Sequence, residues 1–142
     1  MGSEAIVLLL LENGADVAAK RTTDGMTPLH CGAHQGEVGT VRLLLQHGAD
    51  VEALTTLGGT PLHSAASTCH DEAARLLLLH GADVSARQEN GVTPLHAAAY
   101  RKCKTVVRLL LENGGDPSAK TNESSFGTPL HFAAQAGSKA KT

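Results

Sequence analysis

The chain has 142 residues, is 42% hydrophobic and carries a net charge of −2. That near-neutral balance excludes a global field for drawing in nucleic acid or anionic lipid. The aromatic residues are Tyr100, Phe126 and Phe132 alone, too few to stack bases on and too few to build a core. The core must come from Leu, Ala and Val, which suits short helices in close contact. The apolar run over residues 5–11 is too short to span a bilayer. Cys31, Cys69 and Cys103 are odd in number and widely spaced, and no signal-peptide pattern is seen. A reducing compartment, cytoplasmic or nuclear, is expected.

In chain order, residues 3–13 read as a helix. Ser3 caps it, Ile6 to Leu11 supply its buried side, and Gly14 ends it in the left-handed conformation. A polar, turn-rich stretch follows to Met26. Thr27 is then a helix N-cap with Pro28 at the first helical position, where a missing N–H costs nothing. Leu29, Cys31, Gly32 and Ala33 make a short helix that Gly36 breaks. Residues 37–47 form a second helix with an apolar side of Val38, Val41, Leu43, Leu44 and Leu45, and Gly48 ends it. Two short helices joined by a tight turn make an antiparallel pair. The pattern returns with Thr60-Pro61 and a helix over 72–80, then with Thr93-Pro94 and a helix over 105–113. A last copy starts at Thr128-Pro129 and carries one helix over 129–136, with only residues 137–142 after it.

Two markers travel in phase through these pairs. Thr-Pro-Leu-His recurs with its histidine at His30, His63, His96 and His131, steps of 33, 33 and 35 residues. A glycine followed by Ala-Asp or Gly-Asp stands at Gly14, Gly48, Gly81 and Gly114. From each of His30, His63 and His96 to its glycine the distance is a constant 18 residues, so length varies only between units. The connections from Asp16, Asp50, Asp83 and Asp116 to the next Thr-Pro are 11, 10, 10 and 12 residues and read as hairpin-like loops. A fixed period near 33 predicts one array over 1–142. Its units are a partial repeat at 1–23, full repeats at 24–56, 57–89 and 90–124, and a partial repeat at 125–142. The two incomplete ends suggest a piece of a longer protein.

The 33-residue period, Thr-Pro-Leu-His, Ala65-Ala66, Ala98-Ala99, the run Val106 to Leu111 and Gly-Ala-Asp together resemble the ankyrin repeat. The resemblance covers nearly the whole chain. It implies an all-α repeat solenoid of stacked antiparallel helix pairs joined by β-hairpin-like finger loops. It also implies a concave face, made by the fingers and first helices, that binds another protein. The sequence departs from the family pattern at several points. Cys69 and Lys102 replace the glycine between the paired helices, at a cost of roughly 1 kcal/mol each if the turn stays left-handed. Pro117 stands where an aliphatic residue is usual.

No residue pattern points to catalysis, a cofactor or a metal. The four signature histidines sit at the third position after the cap threonine, where an imidazole can tie the cap to the adjacent finger. His47 and His80 precede a terminating glycine and suit the helix dipole. His30 and His34 are four apart but have no Glu between them. Cys69-His70 and Cys103 lie in equivalent turns and could offer part of a zinc site, but no paired Cys-x-x-Cys supports it. They read as unreactive turn residues. There is no nucleophile elbow, P-loop or Gly-x-Gly-x-x-Gly.

If the repeat fixes the scaffold, function lies where its copies differ. On the first helices those positions are His34 and Gln35, Ser67 and Thr68, and Tyr100 and Arg101. On the fingers they are Arg21 and Met26, Leu54 and Leu57, Arg87, Asn90 and Val92, and Phe126. Tyr100 and Arg101 are the preferred pair, because Tyr and Arg are enriched among dominant interface residues. The expected protein is a monomeric, non-enzymatic interaction scaffold for a protein or peptide, without nucleic-acid or membrane partners. The alternatives are a regulatory segment of a larger enzyme, channel or ubiquitin-ligase adaptor, and an engineered repeat protein without a natural ligand.

Overall fold

The computed structural model describes residues 3–122 and 127–139. In those residues eight helices and no strand are found: α1 (Ser3–Glu12), α2 (Pro28–Gln35), α3 (Val38–Gln46), α4 (Pro61–Ser67), α5 (Asp71–Leu79), α6 (Pro94–Tyr100), α7 (Lys104–Glu112) and α8 (Pro129–Lys139). They stack in two rows. The first helices α2, α4, α6 and α8 pack side by side, as do the second helices α1, α3, α5 and α7. Across the rows α2 pairs with α3, α4 with α5 and α6 with α7. The chain is an all-α repeat solenoid.

Each first helix starts by the same device. Thr27, Thr60 and Thr93 hold extended backbone, and each hydroxyl accepts the N–H of the histidine three residues on. That histidine returns the bond: Nδ1 of His30, His63 and His96 accepts the cap threonine's N–H, each at 3.1 Å. This is a capping box with imidazole in place of the usual Glu or Gln. With Nδ1 an acceptor, the neutral ring carries its proton on Nε2. Nε2 then donates forward into the next finger, from His30 to the Gly59 carbonyl at 2.9 Å and from His63 to the Val92 carbonyl at 2.8 Å. His96 reaches both the Ala119 and Gly127 carbonyls, at 3.0 and 3.1 Å. Burial pushes the pKa of all three rings down, that of His63 to about 4.

Each recurring aspartate caps its own loop. Asp16, Asp50, Asp83 and Asp116 accept the N–H two residues on, at 2.8 to 2.9 Å. The fingers that follow are closed by short-range backbone bonds, such as Thr55 N–H to the Gly59 carbonyl and Gln88 N–H to the Val92 carbonyl, each at 2.9 Å, with a second bond inside each turn. They are too short for a strand ladder. Neighbouring fingers are tied in series, Thr56 N–H to Asp24, Glu89 to Leu57 and Asn122 to Asn90. Gly91 is pressed so close to that junction that an added Cβ would lie 2.6 Å from the Asn122 nitrogen.

Under these caps the core is one apolar cluster. Leu29, Leu62 and Leu95 enter from the first row, and Leu44, Leu77 and Leu110 from the second. Ala33, Ala65, Ala66 and Ala98 are fully buried between helices, where small side chains let the rows approach. The turns between paired helices keep their left-handed residue even without glycine: φ is 71° at Gly36, 62° at Cys69 and 60° at Lys102.

Three expectations need correction. Ser3 is the first residue of α1 rather than a cap outside it, and its Oγ lies 3.3 Å from Thr40 Oγ1. The apolar run of α1 is not a buried side. Ile6, Leu9 and Leu10 are exposed, because the described residues contain no first helix to cover them. Gly137 does not end the last helix, since α8 runs on to Lys139.

Two outcomes follow for stability. The left-handed strain at Lys102 is relieved by glycine, so Lys102→Gly should raise unfolding free energy by about 1 kcal/mol in urea titration. The histidines give a pH dependence. Unfolded imidazoles bind protons near 6.5, whereas folded His63 resists until about 4. As pH falls through that window only the unfolded state takes up the proton, so stability present above 6.5 is lost toward 4. His63 alone accounts for roughly 3 kcal/mol of the loss, and His63→Gln, which does not titrate, should flatten the curve of stability against pH.

Candidate functional site

The first row exposes one side along a shallow groove. Its walls are His34 of α2, Ser67 of α4 with Thr68 after it, Ala97 and Tyr100 of α6 with Arg101 after it, and Phe132 of α8, around about 520 Å³. All four first helices contribute: α2, α4 and α6 present their last turns to this side, and α8 presents Phe132 from its first turn. Phe132 is the organising ring. It meets His96 edge-on at 4.9 Å between centroids and Tyr100 edge-on at 6.5 Å. The contact fixes Tyr100 against α8 and sets the aromatic floor.

The polar groups are partly committed. Ser67 Oγ donates to the Ser64 carbonyl at 3.0 Å, and Thr68 Oγ1 to the same carbonyl at 2.8 Å. Their hydroxyl protons are therefore used within α4, and their oxygens are left as acceptors. Arg101 and His34 are exposed on the walls. The groove combines an apolar floor, hydroxyl acceptors and a guanidinium donor.

Of the residues expected from sequence, His34, Ser67, Thr68, Tyr100 and Arg101 come together here. Gln35 turns away and lines an apolar cleft at the other end of the array with α1. The finger residues form a separate lip. Leu54 and Leu57 are exposed at 49% and 67%. Met26 is half-buried, with the Arg21 guanidinium 3.0 Å from its sulfur. Arg21 itself pairs with Asp24, which holds that carboxyl down at about 2. Arg87 reaches the next finger, donating to the Lys120 carbonyl and lying 3.4 Å from Asn122 Oδ1. Asn90 accepts the Val92 N–H at 3.1 Å and shapes its own turn. Phe126 lies outside the described residues. Phe132 was missed, although its place after the signature histidine holds Cys31, Ser64 and Ala97 in the other copies. The same search for variation between copies would have found it.

The cysteines also depart from expectation. Cys69 and Cys103 form a disulfide, with Cα atoms 5.4 Å apart, and Cys31 is free and half-buried. Cys69 and Cys103 sit in the turns expected of them, but paired with each other rather than as independent residues. Stacking explains it: residues 34 apart in sequence lie in adjacent turns of a 33-residue repeat. With both sulfurs bonded to each other, Cys69-His70 and Cys103 cannot serve as a thiolate zinc site. Among the described residues no group of three or more His, Cys, Asp or Glu could hold a metal ion, and no helix is long and apolar enough to cross a membrane.

Repeated capping boxes, stacked helix pairs and a first-row groove define a repeat solenoid of the ankyrin type. A sequence profile of ankyrin repeats, three copies, matches residues 1–88 and 78–141, and the chain belongs to that family. Repeats of this family are generally protein-interaction modules and generally non-catalytic. Over 49 residues the chain is 51% identical to the 2-5A-dependent ribonuclease of Mus musculus, covering 34% of this chain and 7% of that protein. Over 52 residues it is 44% identical to the B-cell lymphoma 3 protein homolog of Mus musculus, covering 37% and 12%. It is also 44% identical over 52 residues to Delta-latroinsectotoxin-Lt1a of Latrodectus tredecimguttatus, covering 37% and 4%. The matched stretch thus spans 4% to 12% of these relatives' own length. Proteins with such different names share the scaffold here.

Thiol counting tests the cysteine arrangement. Denatured without reductant, the chain should react with a thiol reagent at Cys31 only, and after reduction at all three cysteines.

Proposed function

We propose that this chain is a non-enzymatic interaction scaffold that holds a protein or peptide segment along the first-row groove. The observation that carries the reading is the convergence of Tyr100, Phe132 and Arg101 in one cleft shared by four helices. A bound segment would lay an apolar side chain on the Tyr100–Phe132 floor. Its backbone N–H groups would meet the Ser67 and Thr68 oxygens, and an acidic or carbonyl group would meet Arg101. The finger lip, with Leu54 and Leu57 exposed, would extend the contact toward the roughly 800 Å² per partner of a stable interface. The signature histidines are poor catalytic candidates, because both ring nitrogens of His30, His63 and His96 are engaged in the scaffold.

A second reading treats the array as the recognition segment of a larger protein. The small share of each relative that the match covers favours it. The groove chemistry is the same in both readings.

Selection of peptides from a displayed library against the folded chain tests the proposal. Tyr100→Ala with Arg101→Ala should weaken the selected peptides by at least about 30-fold, the scale of one strong hot spot of about 2 kcal/mol. Arg75→Ala, on the exposed side of α5, should leave them unchanged. Equal binding by the double variant would move the site off the groove.

A further inference from the structure

Turns join α2 to α3, α4 to α5 and α6 to α7, and neighbouring turns meet in two different ways. The first and second touch without a covalent link. The His70 ring lies on Gly36 so closely that no Cβ would fit there. The second and third are joined by the Cys69–Cys103 disulfide. Around that bond, Cys69 Sγ lies 3.9 Å from the Arg101 carbonyl and Cys103 Sγ 3.9 Å from the Ala66 carbonyl. The first junction stacks at the same repeat spacing with no bond, so stacking alone does not require one. The two turns that the bond joins are also the two whose left-handed residue is not glycine, with φ 62° at Cys69 and 60° at Lys102. A residue with a Cβ disfavours that conformation. These turns are therefore the ones most ready to relax when nothing ties them.

The bond is open to attack from one side. Cys69 is exposed, whereas Cys103 is only 6% exposed. An incoming thiolate therefore reaches Cys69 Sγ and expels Cys103. The expelled thiolate is well placed. Cys103 is the N-cap residue of α7, where the helix end favours negative charge, and it stands between Lys102 and Lys104 in sequence. The groove lies beside the bond. Thr68 and Arg101 are the C-caps of α4 and α6, and both wall the groove. Cys69 follows Thr68 directly, and Cys103 stands two residues after Arg101. The disulfide thus ties together the chain segments that carry these two groove residues.

We propose that Cys69–Cys103 is a thiol-exchange site, a clamp that a dithiol reductant opens to loosen the groove, and this rests on the reading of the groove as a peptide site. One thiolate of the dithiol attacks Cys69 Sγ, the S–S bond breaks, and Cys103 leaves as a thiolate. The reductant's second thiol then attacks its own sulfur in the mixed disulfide and releases Cys69. The reductant ends as a disulfide, and two electrons and two protons have passed to the chain, leaving Cys69 and Cys103 as thiols. Without the bond the two turns relax separately, and the spacing of Thr68 and Arg101 is no longer fixed. The oxidised chain is the binding form.

Peptides selected on the oxidised chain test it, measured before and after dithiothreitol. Thiol counting verifies the reduced state, and circular dichroism verifies that the helices persist. Reduction should weaken binding at least about 5-fold, the lower end of ordinary coupling between two sites, and reoxidation should restore it. Cys31→Ser should respond as the wild type does. Cys69→Ser with Cys103→Ser should bind like the reduced chain and ignore dithiothreitol. Glutathione, a monothiol, should be trapped on Cys69 and not on Cys103 in peptide mapping. Tyr100 is the chain's single tyrosine, so its ring resonances report on the groove without any ligand and should shift on reduction. Unchanged affinity in a fully reduced, folded chain would overturn the proposal. So would a bond that resists dithiothreitol until the chain unfolds, or helices lost on reduction, since either makes the bond a staple of the fold. If Tyr100→Ala with Arg101→Ala leaves peptide binding intact, the groove reading fails by itself. The clamp is then decided by the Tyr100 ring, and resonances unmoved by reduction would overturn it.

Discussion

A neutral imidazole joins each repeat to the next. Nδ1 accepts the N–H of its own cap threonine, which requires an unprotonated nitrogen, and Nε2 gives its proton to the following finger. One ring thus starts a helix and fixes the finger of its neighbour. The apolar cluster supplies the bulk of the burial, but it is made of leucines and alanines that could slide over one another. The imidazole contacts have one geometry only, and they set the register between helix pair and finger. Burial favours the neutral form, so the environment that hides the ring also selects the tautomer the joint requires.

That register is what makes a groove. First helices of seven or eight residues put their last turns on one side, so His34, Ser67 and Tyr100 come into line although they are 33 residues apart in sequence. No strong local chemistry is needed. In the proposed reading, the surface would bind by shape, an aromatic floor and a few directed polar groups. A scaffold that spends its histidines on joints and its aspartates on loops keeps for its ligands the positions that vary.

Much of this was legible in the sequence, for a physical reason. Caps, prolines at helix starts and left-handed glycines act over three or four residues, so Thr27-Pro28, Thr60-Pro61 and Thr93-Pro94 announce their helices directly. Cys69 and Lys102 were readable as strained turns because their position, not their chemistry, demands positive φ. Contacts between repeats were harder. Arg87 looks like a free finger residue in sequence and is spent on the next finger's carbonyl. The Cys69–Cys103 pair follows from stacking rather than from any local motif. The apolar run of α1 reads as a buried face, because exposure at an array end depends on what lies beside it. Phe132 escaped because a single aromatic on a last, incomplete repeat looks like packing until Tyr100 is seen against it.

The unvarying body of the repeat has a further consequence. From each of His30, His63 and His96 to its glycine the length is constant, and additions fall only in the fingers. The groove floor is therefore a ruler of fixed pitch, with one graduation per first helix, beneath a lip whose height can change at any single mark. A longer finger alters how deeply a ligand is held at one graduation and leaves the spacing of all the others as it was. If the groove holds a segment as proposed, partners of different depth would fit on one floor, and the surface would measure the spacing of their anchoring side chains.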